Sequence, residues 1–169
     1  MTETPQDFDF DAWLEGAERP AHSVTVYQKA GLIADLDRLA ERIGNEDDEE
    51  VDGPSMGGGS LRAEYAKLAQ QFHDSALTFR VQGHDEAEKR ALADANPGLT
   101  PTELGYIVIA DAILSPKITA EQLKRLAGKI GEAQFDQIPI AYHKASTEIP
   151  VVSADFLPKH SSRGDGGES

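Results

Sequence analysis

The segment ALTFRVQG, residues 76–83, carries the clearest strand pattern in the chain. Leu77, Phe79 and Val81 alternate with Thr78, Arg80 and Gln82, a period of two that puts apolar side chains on one face and polar ones on the other. A strand with one apolar face needs a partner strand and a cover. The partner that the composition offers is SVTVYQ, residues 23–28, rich in β-branched and aromatic residues. Two strands alone are marginal in water, so helices must close the apolar face.

Between these strands lie two amphipathic helices. Leu32, Leu36, Leu39 and Ile43 recur at helical spacing, which predicts a helix over 29–43 with Gly44 as its stop. Leu61, Tyr65, Leu68 and Phe72 repeat the pattern in a second helix, 61–72. They are separated by GNEDDEEVDGPSMGGGS, residues 44–60, with six acids and three consecutive glycines. This stretch imitates two ligand loops and completes neither. Asp48, Glu50, Asp52 and Gly53 match positions 1, 3, 5 and 6 of an EF-hand, but Gly59 stands where a bidentate glutamate must close the calcium shell. Gly53, Gly58 and Ser60 imitate a phosphate loop, but the lysine position is again Gly59. An acidic, disordered linker is the better reading.

The C-terminal half is punctuated by helix caps. Asp85 with Glu88, Thr100 with Glu103 and Thr119 with Gln122 are three capping boxes. They open helices near 85–95, at 101 with Pro101 in its first position, and at 120. The second of these contains GYIVIADAIL, residues 105–114, apolar nearly all round and expected at the buried centre. Leu123, Leu126 and Ile130 give the third its inner face, with Ile118 and Leu123 placed as a hydrophobic staple. A last helix near 132–146 must be kinked or interrupted by Pro139. The expected fold is α+β and mainly helical, a small two-stranded β element on five or six helices. Its parts are an acidic arm (1–22), a strand–helix unit (23–43), the linker (44–60), a helical core with one strand (61–147) and a flexible C-terminal tail (148–169).

Composition bounds function. The 169 residues carry a formal net charge of −14, with 15 acids against 4 bases in residues 1–60. Such a chain repels nucleic-acid backbones and anionic membranes, so neither is an expected partner. The first ten residues lack the basic and apolar regions of a secretion signal, and no apolar run reaches membrane-spanning length. With no cysteine, disulfides and thiolate sites are excluded, which fits a cytosolic protein. The five histidines make no metal-ligand spacing, so neither a metal nor a cofactor is expected. His73-Asp74 and His84-Asp85 resemble acid–base pairs, yet nothing nominates a nucleophile, and ordinary turn residues account for them. Arg163-Gly164-Asp165 matches an adhesion tripeptide by chance in a glycine-rich tail. The helices from Thr119 to Ser146 lack the basic footprint of a DNA-binding helix pair.

Several segments taken in order, SVTVYQKAGLIADLDRLAERI (23–43), LTFRVQGHDEAEKRAL (77–92), ITAEQLKRLAGKIGEAQFDQIPIAYHKAS (118–146) and DFLPKHSS (155–162), resemble the tail assembly chaperones of long-tailed phages and prophages of actinobacteria. The resemblance covers roughly residues 7–160, in pattern rather than through a diagnostic motif. It implies a non-enzymatic protein of the host cytoplasm, absent from the mature virion. Such a protein coats the aggregation-prone tape measure protein while tail tube subunits polymerise around it. The family often makes a longer, frameshifted product as well. The alternative is a minor virion component of the tail or head–tail connector. For a chaperone, the client-binding candidates are Phe72, Phe135 and Tyr142, on the helix faces Leu61–Phe72 and Phe135–Tyr142. On the linker reading, replacing Asn45–Gly59 with a neutral Gly/Ser linker should leave the fold intact, as read by thermal denaturation, and cost solubility and contact with a basic client.

Overall fold

A computed structural model describes residues 8–49 and 58–150. Strands β1 (Ala21–Tyr27), β2 (Ala76–Gln82) and β3 (Ile113–Ser115) form an antiparallel sheet in the order β1–β2–β3. The helical segments are α1 (Phe10–Glu15), α2 (Leu32–Glu49), α3 (Gly58–Asp74), α4 (Glu86–Ala95), α5 (Pro101–Ala112), α6 (Ala120–Ile130), α7 (Glu132–Phe135) and α8 (Gln137–Thr147).

The two expected strands pair in continuous register, from Ala21 opposite Gln82 to Tyr27 opposite Ala76. The alternation in β2 turns Phe79 and Val81 inward, and β1 contributes Val24 and Val26 to the same face. The other face is polar, with Thr25 and Thr78 hydroxyls hydrogen-bonded across the strands at 2.7 Å. The core gathers on the inner face, where Phe79, Val81, Ile113, Leu123 and Ile138 are the largest fully buried side chains.

A third strand corrects the two-strand expectation. The apolar run 105–114 does not stay helical, because α5 ends at Ala112 and Ile113–Ser115 pairs along the free edge of β2. An unpaired strand edge is a row of unsatisfied donors and acceptors, and β-branched Ile113 suits a strand. Nor is α5 the buried centre. Ala110 and Ala112 are buried, while Tyr106, Ile107, Val108 and Ile109 are half-buried. The centre belongs to the sheet with Leu123 and Ile138.

The helix count exceeds the expected five or six for two reasons. The acidic arm contains α1, and the last helix is divided into α7 and α8. The division falls at Asp136, not at Pro139. Pro139 is the third residue of α8, in the first turn, where a helix has no use for the missing N–H. The three capping boxes form as expected, each with its side-chain and backbone bonds in place.

The acidic stretch also differs from its expectation. α2 runs through Gly44 to Glu49, and α3 begins at Gly58. Asp48 is therefore helical, and Glu50–Gly57 lie outside the described residues. α2 and α3 form an antiparallel pair that packs mainly on itself, with Leu39 and Leu61 buried. Arg62 on α3 holds the Asp47 carboxylate with bonds of 2.6 and 2.7 Å, tying the last turns of α2 to the start of α3. That contact and the helical pairing outweigh the ~1 kcal/mol that a mid-helix glycine costs. The Gly/Ser replacement of Asn45–Gly59 would accordingly remove helix as well as charge. Of the expected tail, Glu148 meets the His22 imidazole at the start of β1, and residues 151–169 lie outside the described residues.

One glycine is required by close approach. A Cβ on Gly83 would stand 2.5–2.8 Å from Ser146 atoms Oγ, Cα and N, so α8 rests directly on the chain leaving β2. Gly83→Ala should lower stability by about 2 kcal/mol or more through overpacking against that backbone. Gly44→Ala, with nothing within 4 Å of the new methyl, should raise it by ~0.5–1 kcal/mol. Urea denaturation of both variants checks the pair of opposite signs.

Candidate functional site

The inner face of the sheet is longer than its cover. Along β2, Val81 is 0% exposed and Phe79 1%, but Leu77 on the same face is 41% exposed. Here α6 draws away from the strand end and leaves an open groove of about 650 Å³. Its floor is Val26, Leu77 and Phe79, and the facing wall is Ile118, just before α6, with Leu126 and Ile130 of α6. Arg125 and Lys129 project from α6 along the same wall, four residues apart and therefore on one helix face. Among the described residues, no carboxylate pairs with either cation. Asp74 stands on the sheet-side lip, where the Gln70 amide donates to it at 2.7 Å. An apolar trough of this size with a few polar groups along its rim has the anatomy of a binding site.

The three sequence-derived client candidates are not brought together. Phe72 stacks on Tyr27 at 4.3 Å between centroids and joins the α2–α3 pair to the end of β1. Phe135 leans on Tyr106 at 5.9 Å, beside a shallow pocket lined by Gly105, Ile109 and Pro139. Tyr142 lies on His84, 5.6 Å away. All three are half-buried and none lines the groove. Its residues were legible only as core. Leu126 and Ile130 read as an inner helix face, and nothing in residue spacing tells where a helix stops covering a strand.

The histidine pairs resolve differently from their sequence neighbours. Asp85 is occupied as the N-cap of α4, accepting from the Glu88 N–H at 2.8 Å. His84, with a side chain only 6% exposed, meets Asp111 at 2.7 Å through Nε2 and the Tyr142 hydroxyl at 3.1 Å through Nδ1. An acid, an imidazole and a hydroxyl in line suggest nucleophilic chemistry. Burial, however, pushes the Tyr142 phenol above its ordinary pKa, the reverse of activation. The trio is better understood as a clasp joining the end of β2 to α5 and α8. Among the described residues, no cluster of three or more potential metal ligands occurs.

The chain between α1 and β1 is fastened at one point. Both Arg19 Nη atoms donate to the Glu88 carboxylate, at 2.5 and 2.8 Å, and the Arg19 carbonyl accepts from Gln82 Nε2 at 3.2 Å. No protein-family model matches the chain, and no curated protein or solved structure matches it.

The Arg19 guanidinium, aided by the Asp85 N–H, holds the Glu88 carboxyl at about 2, below its ordinary 4.5. A carboxyl depressed in the folded state stabilises above its unfolded value, and that stabilisation is lost as pH falls through the folded one. Arg19→Gln should therefore raise the Glu88 pKa in an NMR titration. The stability gap to the parent should be full at neutral pH and closed below about pH 2. Because the side chains are 50% and 38% exposed, the gap should stay under about 1 kcal/mol.

Proposed function

We propose that this chain is a non-enzymatic assembly chaperone of long-tailed actinobacterial phages or prophages. In this reading it binds the tape measure protein in the host cytoplasm, keeps it soluble while the tail tube grows, and leaves before the virion is complete. A holdase must expose apolar surface to its client and remain soluble itself. The observation that carries the reading is the open groove over Leu77, on a chain whose net charge is −14. Net negative charge, most of it in residues 1–60, favours solubility, and a trough is a more selective seat than a flat apolar patch. The resemblance of residues 23–43, 77–92 and 118–146 supplies the client's identity. Tail tube protein and a longer frameshifted form of the chain are the further partners it implies. Among the described residues, no helix is long and apolar enough to cross a membrane.

Co-expression with the tape measure protein tests the reading. The parent chain should keep the client in the soluble fraction. Leu77→Ser, a change at a half-open position, should release most of it to the pellet while the chaperone's own unfolding temperature moves by only a few degrees. Finding the chain in purified virions would instead favour a minor tail or connector component.

A further inference from the structure

The groove has a complement on the same chain. Helix α1 makes at most marginal contact with other elements, and every one of its residues is exposed. Phe10 and Trp13 stack on each other at 5.7 Å, and with Leu14 they form one bare face, Trp13 being 56% exposed. An aromatic face of this kind, held in water on a formed and capped helix, is an interaction surface without its partner. Asp11 and Glu15 flank it, four residues apart, and among the described residues neither is in an ion pair. Residues 8–16 hold three acids and no base.

The groove presents the reciprocal arrangement. Leu126 and Ile130 form its apolar wall, and Arg125 and Lys129, also four residues apart, flank them. We propose that this groove seats α1 of a second copy of the chain, with Phe10 and Trp13 over Leu77 and Leu126, and with Asp11 and Glu15 against Arg125 and Lys129.

The fastening at Arg19 decides between the same copy and another. It sits at the Gln82 end of the sheet, and the groove opens at the opposite end, beside Val26 and Leu77. From Ala21 to Val26 the strand advances roughly 16 Å, and α8 lies alongside His22–Val24 in between. The residues free between α1 and Arg19 are Gly16–Glu18, and the four Cα steps from Glu15 to Arg19 reach at most about 14 Å. With α8 in that path, a chain seating its own α1 would have to release Arg19 from Glu88 or draw Gly16–Glu18 out to full extension. Filling a neighbour's groove requires neither. The contact is head-to-tail, so each addition leaves one free groove and one free α1, and association continues until a ring closes. It stands independently of the client reading, although any client of the groove would compete with it.

Sedimentation and light scattering on the full chain test the proposal with two double variants, Phe10→Ser/Trp13→Ser and Arg125→Glu/Lys129→Glu. All four positions are exposed, and circular dichroism melts should match the parent. The parent should grow past a dimer as concentration rises through the micromolar to sub-millimolar range. Each variant alone should be monomeric. Their equimolar mixture should form a dimer and stop there, since one supplies only the groove and the other only the helix. A charge-exchanged chain, Asp11→Lys/Glu15→Lys with Arg125→Glu/Lys129→Glu, should regain association. A parent that stays monomeric, variants that still associate, or a mixture that does not pair would each overturn the proposal, and none of these readouts involves a client.

Discussion

The backbone pairing of residues 21–27 with residues 76–82 holds two distant parts of the chain together, and the remaining elements take their places from it. Closing so long an intervening segment is entropically unfavourable, though the penalty grows only slowly with length. Helices α2 and α3 reduce the problem further. At 18 and 17 residues they are nearly equal in length, about 27 and 26 Å, so an antiparallel pair carries the chain out and returns it beside its start. The Tyr27–Phe72 stack and the Ser75 carbonyl accepting from Gln28 N–H lock the base where the helices meet the strands. Leu39 and Leu61 bury the seam above it.

A sheet with one apolar face then dictates the second half. β3 pairs with the edge of β2, α8 packs across β1 and β2, and α6 adds Leu123 to the same core. Leu123 and Ile138, one from each helix, are fully buried there. Two helices laid on a twisted sheet do not cover it evenly. α8 comes so close at Gly83 that no side chain fits, and α6 departs at Leu77 so that an apolar trough stays open. Close contact at one end and the groove at the other follow from the same packing.

How much of this was readable depended on the range of the interactions. The capping boxes at Asp85, Thr100 and Thr119 involve residues three apart and formed as read. The alternation in β2 is equally local. Gly44 misled because a helix end depends on what the next turn packs against, here α3 and the Arg62–Asp47 pair. The run 105–114 misled because hydrophobicity reports burial without saying whether a helix or a strand edge provides it. His84 was read with its sequence neighbour Asp85, yet its partner is Asp111, 27 residues away.

The order of residues alone was enough to place the one-faced strand at 76–82, its partner near 23–28, the two amphipathic helices between them and the three capped helices after them. These features rest on periodicity and caps, whose energetics act within one or two turns of chain. The tertiary structure decided the third strand, the continuation of α2 through Gly44, the His84–Asp111–Tyr142 clasp and the opening of the groove at Leu77. Each of these is a competition between alternative neighbours for the same surface, and neighbours distant in sequence are chosen only when the whole chain is packed.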